Sequence, residues 1–147
     1  MNQSPNLEAV DFDKTKHYSV IKEWWSRYGK SGEIPEACVP KHGVMILSSG
    51  KPMASCFLYI NDTKLCHLDF CIVNPDLGAG KRVEFLRIII AEGIYKAKAI
   101  LGDDAMIWSL TDHSVVARIY NEIGFRCLGE GDCFVFAADN SNIKFLQ

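Results

Sequence analysis

Three side chains with proton chemistry recur at every second position of the segment Leu65–Val73: His67, Asp69 and Cys71. A strand of period two places all three on one side. An imidazole beside a carboxylate can clear a proton from a substrate, Asp69 either receiving it or orienting His67. Metal binding by Cys66, His67 and Asp69 is disfavoured, because adjacent strand residues face opposite ways and further ligands are missing nearby. The six cysteines, Cys38, Cys56, Cys66, Cys71, Cys127 and Cys133, show no C-x-x-C spacing, so neither zinc nor a redox dithiol is signalled.

Directly after that segment comes Asn74-Pro75-Asp76-Leu77-Gly78-Ala79-Gly80-Lys81-Arg82. Proline stops the strand and the glycines allow a backbone to approach a ligand closely. A helix starting here presents unpaired N–H groups and the positive end of its dipole, which suits a phosphate, and Lys81 and Arg82 add positive charge. Neither G-x-G-x-x-G nor G-x-x-x-x-G-K-[ST] occurs. A plain strand-to-helix turn with solvated basic residues is the other reading of the same stretch.

These groups need a scaffold, and the apolar pattern supplies one. Leu7–Phe12 reads as a strand, followed by a helix capped by Asp13, with Ile21, Trp24, Trp25 and Tyr28 on one face and Gly29 and Gly32 at its end. That face either packs on a sheet or lines a cleft with Trp24, Trp25 and Tyr28. Residues 30–41, with Pro35 and Pro40, form a loop or short helical turn. Val44–Leu47, Met53–Ile60 and Leu65–Val73 make an antiparallel meander turned at Ser49-Gly50 and Asn61-Asp62. A long helix follows, burying Val83, Leu86, Ile90, Ile94 and Ala97, with Ile88 and Ile89 widening the face and Gly93 as its weak point.

Ala105–Ser109 is a short apolar strand reached by a crossover, then a helix over about 114–123, capped by Asp112 or Ser114, stops at Gly124. Phe125–Leu128 and Cys133–Ala137 close the chain as a hairpin. The order predicts an α/β sandwich on one mixed sheet, without the alternation of a doubly wound fold.

With 147 residues, 48% of them apolar, the sequence supports a single compact domain over 1–147. A net charge of −2, from 16 Lys+Arg and 18 Asp+Glu, and the absence of a basic stripe exclude nucleic acid as the expected partner. Arg87, Glu92, Lys96 and Lys98 interrupt the densest apolar stretch, so no membrane association is expected. The first residues carry no secretory pattern, which predicts a cytoplasmic protein. Cys56, Cys66, Cys71, Cys127 and Cys133 lie in apolar runs and read as buried thiols.

The order of elements, together with Ala117-Arg118-Ile119-Tyr120-Asn121-Glu122-Ile123-Gly124-Phe125, resembles the GNAT superfamily of acyl-CoA dependent N-acetyltransferases over nearly the whole chain. The strand Leu68–Val73 running into Asn74-Pro75 and a long helix is a second point of likeness, although Gly78, Lys81 and Val83 stand where the family's loop has Arg or Gln, Gly, and Gly or Ala.

The resemblance implies a mixed, mostly antiparallel sheet of about seven strands with helices on both faces. It implies transfer of an acetyl group from acetyl-CoA to a primary amine by direct attack in a ternary complex, without a metal. The backbone of Cys71, Ile72 and Val73 would hold the coenzyme and the developing oxyanion, and Gly78, Ala79, Gly80, Lys81 and Arg82 would hold its diphosphate. Tyr120 would protonate the departing sulfur; Asp69 corresponds to the family's strand carboxylate, with His67 as the next candidate base. The acceptor, a small-molecule or protein amine, would lie between residues 24–41, with Trp24, Trp25 and Tyr28, and the terminal hairpin. There Glu33, Glu36, Glu130 and Asp132 would suit a cationic amine. A homodimer is left open. The alternative on the same fold is a non-catalytic module for protein–protein interaction.

Overall fold

The computed structural model describes residues 4–129 and the backbone of 134–138. Strand β1 (Leu7–Asp11) leads to helix α1 (Lys14–Arg27), whose first turn is capped by Asp13 Oδ1 accepting from the Thr15 N–H at 2.9 Å. Its apolar stripe buries Ile21, Trp24 and Trp25. A single 3₁₀ turn (Glu36–Cys38) interrupts the loop that follows. The meander then runs through β2 (His42–Ser48), β3 (Lys51–Ile60) and β4 (Leu65–Val73). Helix α2 (Ala79–Leu101), β5 (Met106–Thr111), α3 (Ser114–Ile123), β6 (Arg126–Gly129) and β7 (Phe134–Ala138) complete the described chain.

The sheet has seven strands in the order β1-β2-β3-β4-β5-β7-β6. Every neighbouring pair is antiparallel except β4 and β5, which the α2 crossover makes parallel. Alternation along β2 and β3 divides the core. Val44, Ile46, Ala54, Cys56 and Leu58 pack under α2 and α3, while Met45 and Phe57 pack under α1 with Phe12, Trp24 and Trp25. Helices therefore cover both faces, as expected.

Gly93, expected as the weak point of α2, lies tight against the sheet. A Cβ there would meet Leu68 Cδ1 at 2.7 Å and Cys56 Sγ at 2.9 Å, so glycine sets the helix-to-sheet distance. Two other expectations are corrected. Helix α3 is capped by His113, without a side-chain hydrogen bond, rather than by Asp112 or Ser114. Cys127 is exposed on β6, where the run of apolar residues suggested burial; Cys56 and Cys66 are buried and Cys71 is half-buried. Cys133 lies outside the described residues. Among the described residues no helix is long and apolar enough to cross a membrane.

Candidate active site

Strands β4 and β5 pair only at Leu65–Met106, Cys66–Ile107 and His67–Trp108. Beyond His67 they part, so that among the described residues one edge of β4 has no strand partner from Leu68 onward. A cleft of about 810 Å³ occupies the gap, a size typical of small-molecule sites. Its walls are Asp69 to Val73 of β4, Ala79, Arg82, Val83 and Leu86 of α2, the end of β5, and Val115, Val116 and Tyr120 of α3. From the α1 side come Trp25, Tyr28, Lys30 and Glu33.

The strict period of two fails in the middle of β4. Ser55 pairs with Ile72 but Phe57 pairs with Asp69, so β4 carries one residue more than β3 across this step. The extra residue is Phe70, at φ 54°, a left-handed conformation that costs energy in a side chain of this size and marks a bulge. His67 contacts the Tyr59 ring, and Phe70 and Ile72 pack into the α1-side core, whereas Cys71 and Val73 pack under α2 and α3. Simple alternation puts Cys71 on the side of His67 and Asp69; the bulge turns it to the other.

Asp69 lines the cleft. Its Oδ1 accepts from the Phe70 N–H at 2.7 Å, and its Oδ2 lies 3.1 Å from His67 Nε2, close enough for an ion pair but not aligned as a hydrogen bond. His67 itself does not line the cleft. Its ring stacks on Trp108, 4.0 Å between centroids and 11° from parallel, which fixes the imidazole behind the carboxylate.

On the other side of the sheet Tyr120 is 1% exposed, yet it borders the cleft. Its ring packs on Phe125 and its hydroxyl is 2.8 Å from Ser109 Oγ. Gly124, at φ 116°, ends α3 and donates to the Tyr120 carbonyl, holding the last turn that carries the phenol. Burial pushes the phenol well above its ordinary pKa; the Cys71 thiol and the Asp69 carboxylate push the same way and the Ser109 hydrogen bond pulls against them. Cys56 is likewise pushed well up, by its hydrogen bond with Cys71 and by burial, and burial pushes Cys66 up to about 11. Both remain thiols at neutral pH.

The start of α2 is held differently. Asn74 is buried and ties the loop to β3, its N–H on the Met53 carbonyl at 2.8 Å and its amide on the Pro52 carbonyl at 3.1 Å. Arg82 donates to the Leu77 carbonyl at 2.7 Å and the Pro75 carbonyl at 2.9 Å, and Tyr28 lies against its guanidinium. Tyr28 also donates to the Val73 carbonyl at 2.9 Å, so it braces the end of β4.

Of the basic pair, Arg82 lines the cleft, whereas Lys81 points outside it to Glu84 at 2.8 Å. Gly78 and Gly80 are not among the lining residues either. The backbone at Gly78 is ordinary, φ −65°, and a Cβ at either glycine would meet nothing within 4 Å. Among the described residues, then, the space beside both glycines is open and no side chain caps the start of α2. The amides of its first turn and that space fit a diphosphate.

Trp25 and Tyr28 line the cleft, but Trp24 is buried in the α1-side core. Glu33 lines the cleft and Glu36 does not; Glu130 and Asp132 fall outside the described residues. No group of three or more metal-binding side chains is assembled among the described residues.

No protein-family model matches the sequence, and no curated protein does. Solved structures match over nearly the full length. A spermidine N-acetyltransferase, SpeG, from Vibrio cholerae superposes with a TM-score of 0.72 at 14% identity, covering 92% of this chain and 94% of that one. An acyl-CoA N-acyltransferase from Pseudomonas aeruginosa gives 0.67 at 11% identity, over 90% and 99%. A protein from Desulfovibrio desulfuricans assigned to the GNAT family gives 0.72 at 10% identity, over 92% and 99%. The chain has the GNAT fold. Within this GNAT fold, sequence reasoning missed Trp108 and Ser109, which back His67 and Tyr120. The one available signal was a serine in the middle of the apolar strand β5.

Proposed function

We propose that the protein is an N-acetyltransferase that moves an acetyl group from acetyl-CoA to a primary amine by direct attack in a ternary complex. The observation that carries this reading is the cleft where β4 and β5 part, because Asp69, Tyr120 and the first turn of α2 all border it. When bound, the coenzyme supplies an acetyl group activated as a thioester.

The amides of the first turn of α2 bind the diphosphate, with the Arg82 charge in the adjoining wall. The open edge of β4 between Cys71 and Val73 offers N–H groups to the oxygen on which negative charge develops. On the α1 side, Asp69 takes the proton of the attacking amine, directly or through a water. Such an amine has an ordinary pKa of about 10.4 and must lose a proton to react. His67, held by Trp108, stands 3.1 Å behind the carboxylate. On the other side, Tyr120 gives its proton to the leaving sulfur; the raised pKa keeps that proton on the phenol until it is needed.

The acceptor end is framed by Trp25, Tyr28 and Glu33, aromatic faces and a carboxylate that suit a cationic amine. The similar Vibrio protein is a spermidine acetyltransferase, so spermidine belongs among the amines to be tried. Exposed free thiols at Cys38 and Cys127 suit a reducing compartment, which supports a cytoplasmic setting.

Calorimetric titration with acetyl-CoA, followed by thiol release across a panel of spermidine, an aminoglycoside, free amino acids and a lysine peptide, tests the reading. Saturable binding and amine-dependent thiol release are expected. Absence of binding to any acyl-CoA would remove the enzyme and leave the non-catalytic module.

A further inference from the structure

Ser109 stands in the middle of β5 with none of its surface exposed, between Trp108 and Leu110. A buried hydroxyl is costly unless it is hydrogen-bonded. The partner found for Ser109 is the Tyr120 hydroxyl at 2.8 Å, and either oxygen could donate. The direction decides what the phenol can do. Ser109 is not a cleft residue, whereas Tyr120 and its other neighbour Cys71 both are. A phenol donating to Ser109 would send its proton into the core, away from any substrate. A phenol accepting from Ser109 keeps its own proton on the side of Cys71 and the cleft.

We propose that Ser109 is a positioning residue for the acid step, its hydroxyl donating to the Tyr120 oxygen so that the phenol proton faces the cleft and the charge left behind is held. The inference rests on the acetyl-transfer reading above. As the amine nitrogen–carbon bond forms and the carbon–sulfur bond breaks, the Tyr120 O–H bond breaks and a sulfur–hydrogen bond forms. Ser109 keeps its own proton throughout, and water entering the cleft restores the phenol after the products leave.

The need for such a donor follows from the environment. Thiols have ordinary pKa values of about 8.5, while burial holds this phenol well above 10, so the proton must move from the weaker acid to the conjugate base of the stronger. A donor to the phenoxide narrows that gap, and acid catalysis is most efficient when the two are matched. Serine is the smallest residue that can do this at a fully buried strand position.

The test is steady-state kinetics with acetyl-CoA and the fastest amine of the panel, comparing wild type, Ser109→Ala, Ser109→Thr, Tyr120→Phe and the Ser109→Ala/Tyr120→Phe double variant. Ser109→Ala is expected to lower kcat about 10- to 100-fold, the usual worth of a hydrogen bond to a charged group, with KM for acetyl-CoA within about twofold. Ser109→Thr keeps the hydroxyl and should recover most of the loss. Added to Tyr120→Phe, Ser109→Ala should cost less than about twofold, since its target is gone. Should alanine loosen the core, Ser109→Cys keeps the volume with a weaker donor and should fall between wild type and Tyr120→Phe.

A slow Tyr120→Phe beside a Ser109→Ala with full kcat would overturn the inference and leave the acid in place. An undiminished Ser109→Ala loss in the Tyr120→Phe background would reduce Ser109 to a packing residue. Full kcat in Tyr120→Phe would remove the acid and the inference together, and no acetyl-CoA binding would remove the enzyme itself.

Discussion

The two ends of the cleft are built by opposite means. At the end bordered by Asp69 and Tyr120, polar side chains rest on other side chains, His67 on Trp108 and Tyr120 on Ser109, and Asp69 is held by the Phe70 N–H beside His67. At the α2 end, the side chains serve the loop itself. Arg82 donates to loop carbonyls, Asn74 ties the loop to β3, and Gly78 leaves the helix amides uncapped. One end works through side chains held in the core, the other through backbone that the side chains only support. Substitutions should therefore separate into those that change turnover and those that change affinity.

The largest effect is expected at the phenol. Tyr120→Phe should lower kcat roughly 100- to 1,000-fold, the range of a lost general acid, and leave the acetyl-CoA Kd from calorimetry within about twofold. Turnover unchanged by this substitution would place the acid elsewhere. Asp69→Asn comes next, with a loss of about 100-fold. A base works as its carboxylate, so any acidic limb of the wild-type pH–rate profile should flatten in Asp69→Asn. A limb that persists would assign the base to another group.

Much of this contrast is legible in the sequence, and the unread parts have physical causes. The apolar runs of β2, β3 and β5 between turn residues and the helical stripes of α1 and α3 extend over several residues, so the elements and the sandwich follow from local pattern. The bulge at Phe70 does not. It depends on β3 offering one residue fewer than β4, and it reverses Cys71 relative to Asp69 without leaving a turn residue in the sequence. Gly93 reads as a weak helix position, because propensity is local while its contact with Cys56 and Leu68 belongs to another layer. Trp24 and Trp25 are chemically alike and both buried in the α1-side core, and only the helix's placement on the sheet lets Trp25 border the cleft as well. Lys81 and Arg82 are both basic and adjacent, yet the turn of the helix puts just one of them in the wall.

At the α2 end the comparison sharpens with a substitution that helps the fold and harms the ligand. Gly78→Asp puts a favoured N-cap side chain on the amides of the first turn, at a position where a Cβ meets nothing. Helix stability should hold or rise by a few tenths of a kcal/mol. The acetyl-CoA Kd should rise about tenfold, because the new carboxylate occupies the same donors and repels phosphate. Lys81→Ala, by contrast, should leave Kd within about twofold, since that ammonium is exposed and paired with Glu84. Equal affinity in Gly78→Asp and wild type, by calorimetry, would move the diphosphate off this turn.

The smallest effect is expected where the two ends meet. Tyr28 touches both, its hydroxyl on the Val73 carbonyl at the end of β4 and its ring against Arg82 in the loop. Tyr28→Phe keeps the ring and its attraction for the guanidinium but leaves the carbonyl without its donor. The position is 38% exposed, so water can replace the lost partner, and the cost should be about 0.5–1.5 kcal/mol rather than that of a fully buried orphan. Thermal unfolding should show a midpoint lower by a few degrees, with kcat near wild type and the acetyl-CoA Kd at most a few-fold weaker. A fall in kcat as deep as that of Asp69→Asn would mean that the end of β4 acts in the chemistry and that the division between the two ends is misplaced.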